Sequence, residues 1–426
     1  MTDSGRASLW MVSIIALVGA LTYVALRPST PPPAAIPLDA GPLAPAALAI
    51  PSERGPLGPF AESAATTELA PTAPADWAME GLNPGRTRFA ADTLTLPLTR
   101  QRAVPMPADS EPGSPPVVAR GLMLVETKDH LRAFDLRSGQ ERWAFSHPGA
   151  YVSPAVSGDR AYLRAESDNK GQLIALDLAS GAPVWQFTPK RLSSEANSYF
   201  GGHLGSPLVA DDTVYVGAGK ELYALDAATG RTRWEFAAQD YVTSSATVAG
   251  GRVFISDFTF VYGIDQASGA LLWTFPAQSA ISFSPVAADD LVLVTSGPAV
   301  VALDAASGGK RWELSIPGEK LIPAALSGDT AFIKSTETLY ALRLADGSEA
   351  WRYHELNFVS LPALAGGQVF VVAGQGADSR VVALDAVSGT SVWKQPVRSL
   401  ATTAPVIAGG AVYVRMDDGR VLGLWS

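Results

Sequence analysis

One eleven-residue unit, Ala-x-Asp-x-x-(Ser/Thr)-Gly-x-x-x-Trp, returns along most of this chain and limits the possible folds more than any other feature. Its clearest copy lies in Leu222–Phe236 (LYALDAATGRTRWEF). Related segments run Leu131–Phe145, Leu173–Phe187, Val261–Phe275, Val300–Leu314, Leu339–Tyr353 and Val381–Gln395. The closing tryptophans, Trp143, Trp185, Trp234, Trp273, Trp312, Trp351 and Trp393, are spaced by 42, 49, 39, 39, 39 and 42 residues. That period is the length of a four-stranded propeller blade.

Within one period the residues fall into short β-branched runs parted by Gly, Pro, Asp and Ser. Ile281–Ala288, Leu291–Ser296, Val300–Ala305 and Lys310–Ile316 read as four strands. No stretch after Trp77 has the period of a long amphipathic helix. Ser-Pro-like openings at Ser114, Ser153, Ser206, Ser245, Ser284, Ile322, Leu361 and Ala404 raise the count to eight units. The eighth ends after its third strand, at Trp425, so its outer strand must come from elsewhere, and Leu96–Val104 is spare. The expected fold class is all-β, an eight-bladed propeller of four-stranded antiparallel blades, closed by strands from both ends. Closure removes exposed edges. Pro on the innermost strands fits a channel-facing edge without a ladder partner.

The repeated residues have structural work to do. Asp135, Asp177, Asp226, Asp265, Asp304 and Asp385 are placed to accept backbone N–H groups just ahead of them and close Asx-type turns. The glycine four positions on supplies the positive φ of a bulged hairpin. The tryptophans cover the seams between blades. Recurrence in every unit marks these as blade-docking residues, because a binding site needs particular residues rather than the same residue seven times. Arg343 replaces Asp in the sixth unit, where a less well tied turn is expected.

Composition excludes several functions. The net charge of −9 removes the basic footprint of a nucleic-acid binder. Cysteine is absent, so no disulfide, thiolate metal site or lipidated thiol can form. His130, His147, His203 and His354 stand far apart, in no metal-ligand spacing. The acidic pairs Asp289-Asp290 and Asp417-Asp418 sit in turns, and no nucleophile elbow or phosphate loop occurs. Neither a catalytic set nor a cofactor or metal site is expected.

Before the repeats lie three segments. Residues 1–8 form a short tail, and Leu9–Leu26 is uncharged, apolar and just long enough to span a bilayer as a helix. No small-x-small cleavage site follows it, which points to an uncleaved signal-anchor. Residues 27–75 are rich in Pro and Ala and read as a linker of roughly 40 Å. Residues 76–426 carry the propeller.

The eleven-residue unit resembles the tryptophan-docking motif of pyrroloquinoline-quinone-type propellers. The segment Trp77–Phe89 (WAMEGLNPGRTRF) is similar to the lead-in of that superfamily. Quinoprotein dehydrogenases of this group have long insertions, a calcium site, a catalytic Asp and usually a vicinal disulfide, and none of these can be carried onto this chain. The compact propellers of the BamB type, from the outer-membrane assembly machinery, resemble it in blade number, size and lead-in. The resemblance implies a non-enzymatic scaffold of the cell envelope, with β-barrel assembly proteins as partners. BamB-type proteins are normally acylated on Cys. This chain has an apolar span instead, so the expectation is a single-pass inner-membrane protein with a monomeric periplasmic propeller. A quinone-dependent dehydrogenase and a ligand- or glycan-binding sensor are the alternatives.

Function then falls to loops that do not repeat. The longest joins blades between Thr188 and Gly205 and carries Lys190, Arg191, Tyr199, Phe200 and His203. Equivalent loops bring Tyr151, Tyr241, Phe283 and Phe358 toward the same mouth, and aromatics with Arg are the usual anchors of a protein interface.

Overall fold

A computed structural model describes residues 76–104, 106, 114–127, 129–147, 152–167, 170–190, 205–277, 281, 283–288, 290–355, 359–401 and 403–426. The Leu9–Leu26 span and the linker lie outside these residues. Among those described, no helix is long and apolar enough to cross a membrane.

Eight sheets, each built on an antiparallel set of four strands, follow one another around the ring. Blades 1 to 7 open on inner strands at Val117–Ala119, Ala155–Ser157, Leu208–Ala210, Thr247–Ala249, Val286–Ala288, Ile322–Ser327 and Ala363–Ala365. Blade 8 takes Val406–Ala408, Ala411–Arg415 and Val421–Trp425 from the C-terminal end. Its outer strand is Arg100–Val104, paired antiparallel with Val421–Trp425. The ring is thus closed by the spare N-terminal segment, as the strand count required.

Each repeat folds in the same way, for reasons visible in its side chains. The Asp Oδ1 accepts from the N–H and hydroxyl three residues on, at 2.9 and 2.7 Å for Asp226 with Thr229 and 2.8 and 2.8 Å for Asp304 with Ser307. These donors, with Arg233 leading at Asp226, hold the Asp226 carboxyl down at about 2. At Arg343 the backbone tie survives, Gly347 N–H donating to the Arg343 carbonyl at 2.9 Å. The side-chain ties do not: Asp346 accepts from Ser348 N–H instead, at 2.9 Å.

The tryptophans act between blades. Trp143, Trp185, Trp234, Trp273, Trp312 and Trp351 each donate the indole N–H to the carbonyl that follows Asp (or Arg343) in the next blade, at 2.7–3.0 Å. Each ring lies flat on the next blade's motif glycine, so closely that a Cβ there would stand 2.5–2.8 Å from ring carbons. The motif glycine therefore serves two ends, positive φ and room for the neighbour's indole. Apolar clusters fill the same seams, with Phe254 and Trp273 packed on Ala287, Val292 and Leu303 of the following blade.

One expectation is corrected here. The inner edge of the blades does have partners, supplied by the lead-in. Phe89–Ala90 forms a short parallel strand on Leu364–Ala365, making blade 7 five-stranded. Trp77, Ala78, Pro84, Gly85, Thr87 and Arg88 offer their carbonyls to Val118, Val156, Val248, Ala287, Leu326 and Leu364, in blades 1, 2, 4, 5, 6 and 7. Met79 joins the apolar cluster that spans blades 2 to 4, while Ala90 and Leu94 join the one that spans blades 7, 8 and 1. The lead-in makes one circuit of the channel, visiting the blades in ring order.

The closing seam holds a buried polar cluster. His147 Nε2 lies 2.9 Å from Glu126 Oε1, and Arg415 donates to the Glu126 carbonyl at 3.4 Å. Burial pushes the Glu126 carboxyl up to about 7, against the pull of His147 and Arg415. A raised pKa means that stability from this group is full below the unfolded carboxyl's range and is lost as pH rises through about 7. We expect Glu126→Gln to be blind to this loss. In calorimetry, the Tm difference should grow in the variant's favour from pH 5 to 8, by the equivalent of about 2 kcal/mol.

Candidate functional site: the central channel and its mouth

The lead-in does more than cap the channel, because it sends charge into it. Asn83 makes the local turn: its Oδ1 accepts from Thr87 N–H at 3.1 Å and its Nδ2 donates to Thr87 Oγ1 at 2.6 Å. Gly85 passes so close to blade 5 that a Cβ would sit 2.3 Å from the Ala287 carbonyl oxygen. Arg86 and Arg88 then both take left-handed backbone angles, φ +56° and +55°. Such angles cost a non-glycine residue about 1–2 kcal/mol each. Both side chains are buried, at 4% and 7% exposure.

Together with Glu80, they line a cavity of about 180 Å³. Its other walls are Gly205, Thr243, Ser245, Phe283, Ser284, Val286, Ile322, Pro323, Ala324 and Leu361, from blades 3 to 7. Most of these precede or open the inner strands, so the cavity lies on the side of the loops that join one blade to the next. Phe283, Ser284, Ile322 and Leu361 are half-buried, and through them the cavity meets solvent.

The electrostatics are unbalanced. Arg86 donates to the Ala246 carbonyl at 2.9 Å and to Glu80 Oε2 at 3.3 Å. Burial raises the Glu80 carboxyl, but Arg86 and Arg88 outweigh it and hold the group below its ordinary value. Burial pulls the Arg88 guanidinium down to about 10. Two arginines thus face one carboxylate.

The mouth carries two aromatic rings with lysines over them, Lys220 Nζ at 5.5 Å from the Tyr241 ring and Lys320 Nζ at 5.2 Å from the Phe283 ring. Of the nine mouth residues expected from sequence, Lys190, Tyr241 and Phe283 are described. Phe283 lines the cavity. Lys190 is exposed and held by Glu235 at 2.8 Å, a surface pair of little energetic weight. Arg191, Tyr199, Phe200, His203, Tyr151 and Phe358 lie outside the described residues. Sequence reading missed Glu80, Arg86 and Arg88. Their signal was a run of charge, Arg-Thr-Arg, inside a segment bound to be buried. Among the described residues, no group of three or more His, Asp or Glu is arranged to hold a metal ion.

The family model described as outer membrane protein assembly factor BamB matches residues 98–187, 169–259, 257–358 and 335–425, the whole ring. The chain belongs to the BamB family. A BamB of Burkholderia pseudomallei is 32% identical over 150 residues, which is 32% of this chain and 39% of that protein. The crystal structure of BamB from Moraxella catarrhalis superposes with a TM-score of 0.56 at 19% identity, covering 78% of this chain and 98% of that one. The quinohemoprotein alcohol dehydrogenase of Comamonas testosteroni has a TM-score of 0.63 at 15% identity, covering 82% and 80%. At such identities these likenesses speak to the fold alone, which BamB-type and quinoprotein propellers share. A quinone centre with a metal does not fit the residues of this channel. The cavity lies below the roughly 300–1,000 Å³ of pockets for larger organic ligands, and its charged groups are two cations and one carboxylate.

Proposed function

We propose that this propeller is a non-enzymatic scaffold of the bacterial cell envelope that docks proteins of the β-barrel assembly machinery through the face bearing the loops between blades. The observation that carries this reading is the BamB family match over every blade. Short blades leave little besides those loops to vary, and Tyr241 and Phe283 offer ring surfaces of the kind that anchor interfaces. The N-terminal span, Leu9–Leu26, would tether the propeller to the inner membrane on its periplasmic side.

Site-specific photocrosslinking tests the proposal. A photoreactive residue at Tyr241 or Phe283 should capture the soluble domains of the barrel-assembly protein from the same organism. The same group at Val387 should not, because it projects from an Asp-Gly turn at the opposite end of blade 7 and is 87% exposed. Crosslinking from Val387 alone, or from none of the three, would overturn the docking face.

A further inference from the structure

We infer that the central channel is a binding site for a small monocarboxylate with a compact apolar body. Its floor is cationic and its walls are largely apolar, and the cationic groups are only partly supplied with the partners that buried cations require. The Arg88 guanidinium makes no side-chain hydrogen bond among the described residues, although the residue is 7% exposed. Arg86 Nη2 is likewise buried without a partner. The charges that face the cavity are Glu80, Arg86 and Arg88, and Glu80 is taken up by Arg86 at 3.3 Å. One positive charge is left over, which suits a carboxylate better than a doubly charged phosphate.

The walls add hydrogen-bond donors. Ser206 N–H donates to Ser245 Oγ at 2.9 Å, and Ser245 N–H donates to Ser284 Oγ at 3.0 Å. Each of these two hydroxyls is thus oriented as an acceptor from the preceding blade, and its own proton remains to be given. Ser245, Ser284 and the Arg88 fork line one cavity, and a planar fork matches a carboxylate in two-point fashion. Phe283, Val286, Ile322 and Leu361 supply the apolar wall. A cavity of about 180 Å³ is comparable with one of about 150 Å³ that admits benzene. Lys320, set over the Phe283 ring, adds a cation at the entrance that would draw an anion inward.

This site is separate from the docking reading, since a propeller that captures its partner but binds no carboxylate fails only here. Calorimetric titration of the purified full chain at constant ionic strength tests it, with benzoate, acetate, inorganic phosphate and benzyl alcohol as probes. Benzoate should bind saturably at one site. Acetate, which lacks the body, and benzyl alcohol, which lacks the charge, should each bind at least tenfold more weakly, and phosphate should bind no better than acetate. Arg88→Ala should weaken benzoate at least tenfold. Phe283→Ala and Ser284→Ala, which leave the lead-in intact, should weaken it severalfold and keep the inference testable if Arg88→Ala does not fold. No saturable heat with benzoate up to about 10 mM, phosphate binding tighter than benzoate, or affinities untouched by all three substitutions would overturn it.

Discussion

Replacing Gly308 by alanine should destabilise the propeller by about 3–5 kcal/mol, as much as deleting a buried tryptophan. Two costs combine at this position. The backbone angle, φ +71°, strains any residue with a Cβ. The new Cβ would also stand 2.6 Å from the Cδ2 and Cε3 atoms of Trp273. That ring cannot yield cheaply. It is buried, its N–H is engaged by the Ala305 carbonyl at 3.0 Å, and it packs against Phe254 with centroids 5.8 Å apart. Gly251→Ala separates the two costs, because Gly251 has φ +72° but nothing within 4 Å of the new Cβ. It should lose only about 1 kcal/mol. Urea midpoints of the two variants would decide: equal losses would mean that the indole contact adds nothing.

Removing residues 76–104 should abolish cooperative folding. Blade 8 would keep three strands and expose the edge of Val421–Trp425, all five residues of which are buried in the intact ring. An uncovered apolar edge of this kind pairs with other chains. The inner strands of six blades would lose the backbone acceptors offered by the lead-in, and Trp77, Leu94, Leu98 and Val104 would leave the largest apolar cluster. A milder change reaches the same region. Trp77→Ala should cost about 3–5 kcal/mol, since the residue is 1% exposed and its backbone brackets Val118. Thermal unfolding with light scattering would report both. A sharp, unshifted transition in the deletion variant would show that the blades close without the segment.

Legibility in the sequence followed repetition. Strand lengths, turn positions and the borrowed strand could be read because each signal is local and recurs, so that one clear copy such as Leu222–Phe236 explains the rest. The lead-in shows the opposite case. Its family resemblance was readable in Asn-Pro-Gly-Arg-Thr-Arg, yet nothing along the chain tells that Gly85 must clear the Ala287 carbonyl, or that Arg86 and Arg88 turn inward. Those facts depend on contacts with residues 160 or more positions away, as in the Arg86–Ala246 bond. The same holds for Arg415, which reaches the Glu126 carbonyl, 289 positions away, only because the last blade closes on the first.

The sequence by itself determined the eight-bladed architecture, since a period near 40 residues, with seven copies of the Gly and Trp and eight Ser-Pro-like openings, can be satisfied only by copies packed on copies. It also determined that the repeated residues are structural. Tertiary structure decided where an unpaired charge ends up. A ring closed around an axis forces its capping segment to bury whatever side chains point inward, and here those are two arginines set against one glutamate.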